Sequence, residues 1–190
     1  MTGSALQEYA RGILSHVPWE HWAVMGVVSL ALTVILLIRK KCPVYGAIAL
    51  GLAVFTGLVF LDMAVVIRHL GLLRHNAGRH LGFSLDRLFH GSAFARNEAI
   101  SNLIVFIPFG FFLAEFWASL KRFSIGRRLG LATLAAFGLS LCVELLQLVL
   151  KVGYFEVRDL VMNTLGGFVG ALMSVGLRKV VGRGGMDFRA

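Results

Sequence analysis

Five long apolar runs alternate along the chain with polar connections. They fall at roughly 21–38, 44–67, 99–119, 129–150 and 158–177. About 20 predominantly apolar residues cross a bilayer as a helix. The pattern therefore predicts an all-α polytopic membrane protein with about five transmembrane helices. A membrane barrel would show short alternating strands instead. Ahead of the first run, Leu6, Tyr9, Ala10, Ile13, Leu14 and Val17 recur at helical spacing. Pro18 ends that stretch, and Trp19 and Trp22 mark a membrane interface. The spacing predicts an amphipathic N-terminal helix lying in the interface, with no cleavable leader.

Pro108 sits inside the third run, where it removes a backbone hydrogen bond and can kink the helix. In the fifth run, Gly166-x-x-x-Gly170 and Gly167-x-x-x-Ala171 give the small-residue spacing of close helix contact in lipid. Arg178 and Lys179 are expected to close that span. The connection over 68–99 is too long to be structureless inside a compact protein. A surface helix or re-entrant segment is expected there, with 81–89 in the interface. The domain boundaries that follow are 1–20, an amphipathic segment; 21–96, two spans and the long connection; 97–178, a three-helix core; and 179–190, a basic tail.

Polar side chains interrupt the runs in a few places. Asn102 opens the third run, Glu144 and Gln147 lie late in the fourth, and Arg158, Asp159 and Asn163 open the fifth. Asp62 stands near the end of the second run, where a local pair with Arg68 is slightly favoured over a role in a site. Polar and ionisable groups are expensive in hydrocarbon and usually face a protein interior or a wet cavity. Pairs three or four residues apart share a helix face, so Glu144 with Gln147, and Asp159 with Asn163, each present one polar surface. In a five-span topology, Asp62, Asn102, Glu144, Gln147, Asp159 and Asn163 fall at one membrane level.

Charge fixes the expected orientation. The chain carries a net charge of +9 with 15% charged residues. Its basic residues lie in the connections, where topology and anionic lipid account for them, so nucleic acid is not expected as a partner. Eleven basic residues fall on the side of connections 39–41 and 121–128, and eight on the other. The short connections carry the signal, which places that first side in the cytoplasm and the N-terminus outside. Cys42 and Cys142 read as free thiols. His69, His75, His80 and His90 show no metal-ligand spacing, and no cofactor is expected.

The ordered motifs Asn102-x-x-x-Phe106-x-Pro108-Phe109-Gly110, Glu144-x-x-Gln147 and Asp159-x-x-x-Asn163-x-x-Gly166 resemble the VanZ-like family of bacterial membrane proteins. The resemblance covers roughly 97–175. Two positions depart from the family pattern: Gly153 stands where an arginine is common, and Glu156 where an aspartate is. Arg158 or Lys151 is left as the candidate cation. The family takes its name from a member of a glycopeptide-resistance cluster, associated with lowered susceptibility to teicoplanin. The resemblance thus implies a protein of the bacterial cytoplasmic membrane acting at the cell envelope.

Three functions compete. The favoured one is recognition of a membrane lipid, a lipid-linked cell-wall precursor or a glycopeptide antibiotic in an outer-leaflet pocket. That pocket would be lined by Asn102, Glu144, Gln147, Arg158, Asp159 and Asn163. A membrane-embedded enzyme would use Glu144 and Asp159 as an acid/base pair. The polar set supplies no nucleophile beside a histidine base. A transporter is disfavoured by the lack of an internal repeat. A plain hydrogen-bonded clamp between helices remains the alternative to any site, at about 0.6 kcal/mol per interaction.

Overall fold

The computed structural model describes residues 18–66, 81–82, 93–153 and 155–184. The N-terminal segment, most of the long connection with its four histidines and Arg68, and residues 185–190 lie outside the described residues, with the expectations placed on them. The described helices are α1 (Trp19–Ile38), α2 (Val44–Leu61), α3 (Ala93–Ser119), α4 (Ile125–Leu150) and α5 (Val157–Gly184). All five are long and apolar enough to cross a membrane. Their lipid-type faces carry exposed Val27, Leu134, Val149 and Leu177, as expected where hydrocarbon replaces water. The chain is a multi-pass, all-α membrane protein.

Three element ends differ from the hydropathy pattern. α3 begins at Ala93, not near 99, so Arg96 and Glu98 belong to the helix and not to the connection. α4 begins at Ile125, capped by the Ser124 hydroxyl, which accepts the Arg127 N–H at 3.4 Å. α5 runs on through Arg178 and Lys179 to Gly184, so those residues do not end it. Hydropathy marks where lipid contact ends, whereas a helix continues while its polar residues find water or partners. α3 also continues through Pro108 as one helix.

α3 and α5 form the centre, with α4 against α5, α2 against α3, and α1 mainly against α2. Glycine makes this possible. A Cβ on Gly166 would meet the Leu103 carbonyl, and one on Gly170 the Ile107 carbonyl; one on Gly110 would meet the Gly167 carbonyl. The two backbones therefore touch along α3 and α5. Gly167 turns to the other side and lies against Ala136 of α4. α2 is small on two faces: Gly51 meets Thr33 of α1, and Gly46 meets Ser119 of α3. Such contact replaces the hydrophobic drive that lipid cannot supply.

α4 and α5 run antiparallel with a register that repeats every turn. Ala132 packs in one cluster with Ala171, Ala136 lies against Gly167, and Ser140 hydrogen-bonds Asn163. The next step of that register sets Glu144 opposite Asp159. At this end Asp62–Val66 forms a π-helical turn closing α2. Leu81–Gly82 pairs in parallel with Phe155–Glu156, so this point of the long connection is a strand, not part of an interfacial helix.

Candidate functional site

The polar residues collect at one end of the bundle, where α2 and α4 finish and α1, α3 and α5 begin. Arg158, in the first turn of α5, is the largest fully buried side chain among the described residues, at 2% exposure. Its terminal nitrogen lies 2.9 Å from a carboxylate oxygen of both Glu98 and Glu156. Its Nε donates to Asp159 Oδ1 at 3.0 Å. One planar guanidinium thus holds carboxylates from α3, from the strand before α5 and from α5 itself. Its fixed fork of five donors suits such a shared position, which a lysine ammonium would not fill.

Glu144 of α4, 3% exposed, joins the same group through the backbone: its Oε2 accepts the Glu156 N–H at 2.9 Å. Gln147, one turn on, donates Nε2 to the Ala64 carbonyl of the π-helical turn at 3.0 Å. A π turn shifts the backbone pairing pattern and makes such a side-chain contact accessible. Asn163, one turn deeper than Asp159, donates Nδ2 to Ser140 Oγ at 2.9 Å. Asp62 is 7% exposed, and His21 of α1 donates Nδ1–H to its Oδ1 at 2.8 Å.

Of the expected site residues, Arg158, Asp159 and Glu144 are therefore brought into one connected group, with Gln147 and Asn163 at its flank and floor. Asn102 is half-buried one turn along α3 from Glu98, and makes no side-chain hydrogen bond to a described residue. Arg158 fills the cation position, while Lys151 is exposed as the left-handed cap of α4 with φ 58°. The partner of Asp62 among the described residues is His21, and Arg68 lies outside them. Glu144 and Asp159, the candidate acid/base pair, are each engaged: one by a backbone amide, the other by the guanidinium.

Sequence reasoning missed Glu98, His21 and Ser140. Glu98 was legible, since it stands four residues before Asn102 and eight before Phe106 on one helical stripe. Ser140 likewise precedes Glu144 by one turn. His21 carried no signal, because its partner is 41 residues away. A separate polar contact at the opposite, basic end was missed too. Glu115 of α3 accepts from Ser174 Oγ at 2.6 Å and from Arg178 Nε at 3.0 Å. The Arg178 guanidinium also lies 5.5 Å over the Tyr45 ring. A lone carboxylate inside an apolar run was the signal for Glu115.

A family model described as VanZ/LLP1 matches residues 53–178. "Protein VanZ" of Enterococcus faecium is 35% identical over 75 residues, covering 38% of this chain and 41% of that protein. The alignment thus spans well under half of that relative's length. No solved structure matches the chain.

Proposed function

The chain belongs to the VanZ/LLP1 family, and we propose that its polar end binds the headgroup of a membrane lipid or lipid-anchored ligand at the outer leaflet of the bacterial cytoplasmic membrane. The ligand classes in view are a membrane phospholipid, a lipid-linked cell-wall precursor and a glycopeptide such as teicoplanin. Binding there would alter the envelope and lower teicoplanin susceptibility. One observation carries the reading: Arg158 is buried among Glu98, Glu156 and Asp159 at the rim of the bundle. Desolvating charges costs several kcal/mol per ion, and such groups are weak stabilisers compared with apolar packing. This protein already joins the same helices by glycine contact at Gly166 and Gly170. A clamp alone does not require the charges.

Glu144→Gln and Asp159→Asn test this. The amide oxygen of Gln still accepts the Glu156 N–H, and that of Asn still accepts from Arg158 Nε. Both variants are expected to accumulate in the membrane with unchanged thermal stability and to lose the susceptibility phenotype. Retention of the full phenotype in both would reduce the polar end to a clamp.

Orientation is tested separately. The basic residues of 39–41 and 121–128 support an N-terminus on the outside. Ile125→Cys, in a chain lacking Cys42 and Cys142, is expected to resist an impermeant thiol reagent in intact cells. Labelling from outside would put the polar end in the cytoplasm and remove outer-leaflet ligands from the reading.

A further inference from the structure

The polar end contains two deeply buried acceptor oxygens that meet no donor among the described residues. Asp62 Oδ2 is one; its other oxygen is taken by His21. Asn163 Oδ1 is the second; its nitrogen is committed to Ser140. The two residues are 7% and 1% exposed. A buried acceptor without a donor costs about 1–3 kcal/mol, and more when charged. Few native groups are left so, and each asks for a reason.

Their surroundings indicate what is missing. Asn163 lies one turn below Asp159 on α5, and its partner Ser140 lies one turn below Glu144 on α4. The residue that carries the unbonded amide oxygen thus lies one helical turn below Asp159. Those carboxylates, on Glu98, Glu144, Glu156 and Asp159, come from three helices and the short strand. Asp62 approaches from the π-helical turn, which Gln147 ties to α4 one turn beyond Glu144. Beside the Arg158 guanidinium and the His21 ring, acceptors and negative charge therefore predominate among the described polar side chains of this end.

A ligand that fits such a lining brings donors and positive charge. A primary ammonium has three N–H donors and no acceptor. A phosphate or carboxylate would add acceptors and negative charge where both are already in excess. Resting on the headgroup reading above, we propose that this end recognises the ammonium group of an aminated headgroup, with Asp62 and Asn163 supplying acceptors beneath the rim carboxylates.

The test uses the purified full chain and lipids with identical acyl chains, read by native mass spectrometry. The probes are phosphatidylethanolamine, its N-acetylated derivative, phosphatidylglycerol and soluble phosphoethanolamine. A charge-assisted hydrogen bond predicts about tenfold tighter binding of phosphatidylethanolamine than of the N-acetylated lipid or phosphatidylglycerol. Asp62→Asn and Asn163→Ala are expected to narrow that gap. Glu115→Gln, at the other end of the bundle, is expected to leave it unchanged. Where a variant does not fold, the lipid series on the parent chain decides alone. Phosphoethanolamine competing as well as the lipid would support ammonium recognition and identify a free amine as its source. Equal binding of all the lipids, abolished by Asp159→Asn, would overturn the ammonium inference and leave headgroup binding in place. Absence of binding by any lipid would overturn both.

Discussion

Gly170→Leu is expected to abolish accumulation of the folded protein. A Cβ at this position would run into the Ile107 carbonyl and the Phe111 amide of α3. Both are backbone atoms within a helix, so no side-chain rotation makes room. Relief requires α3 and α5 to separate, which also parts Gly166 from Leu103 and Gly110 from Gly167. Overpacking of ordinary cores costs about 1–3 kcal/mol, and a clash with rigid backbone lies at or above the top of that range. The interface has little to offset the loss, since association within lipid depends on packing itself. Gly176→Ala on the same helix is the control. Nothing lies within 4 Å of a Cβ there, so the change gains helix propensity, worth about 0.5–1 kcal/mol in water. Membrane yield and detergent thermal unfolding are therefore expected to fall for Gly170→Leu and to hold or rise for Gly176→Ala. Similar behaviour in the two variants would refute close α3–α5 contact.

The five spans and the Gly166–Gly170 contact were legible because each rests on a periodic property of one helix. Apolar length marks a crossing, and four-residue spacing of small residues marks a contact face. The pairing within the polar end was only partly legible. Sequence placed Glu144, Asp159 and Asn163 at one level, because helix rise and topology determine level. It did not show that Arg158 would serve Glu98, Glu156 and Asp159 at once. That depends on the rotation of α3 about its axis and on the path of the chain between α4 and α5. Glu98 escaped notice for a related reason: hydropathy assigned it to a connection, while the helix begins at Ala93. The His21–Asp62 contact depends on how α1 docks against α2, which a chain of uniform apolar composition does not encode locally.

The polar end also bears on why α1 stays attached. Its long apolar residues face outward, with only Met25 and Ser29 buried. Its contacts with α2 include the close approach of Gly51 to Thr33, the Trp22–Phe55 ring contact and the His21–Asp62 bond. In lipid, where apolar surfaces gain little by meeting one another, an interhelical hydrogen bond adds about 0.6 kcal/mol to such packing.

Arg158→Ala is expected to be the most damaging change at the polar end. It removes the guanidinium and leaves Glu98, Glu156 and Asp159 facing the space it occupied. Breaking a buried ion group by deleting one partner costs about 3–5 kcal/mol, because the remaining charges stay desolvated and repel each other. Arg158→Lys keeps the charge but not the fork, and is expected to fall between parent and alanine variant. The informative comparison is the combined variant Arg158→Met, Glu98→Gln, Glu156→Gln and Asp159→Asn. It removes Arg158 and the three carboxylates paired with it while preserving approximate volume, and such replacements are often neutral or stabilising. Thermal unfolding in detergent is expected to show the alanine variant strongly destabilised and the combined variant close to the parent. Susceptibility is expected to show both without function. A combined variant that folds well and retains the phenotype would mean that neither fold nor function needs the charges. One that unfolds like Arg158→Ala would make the charge group a structural element in its own right.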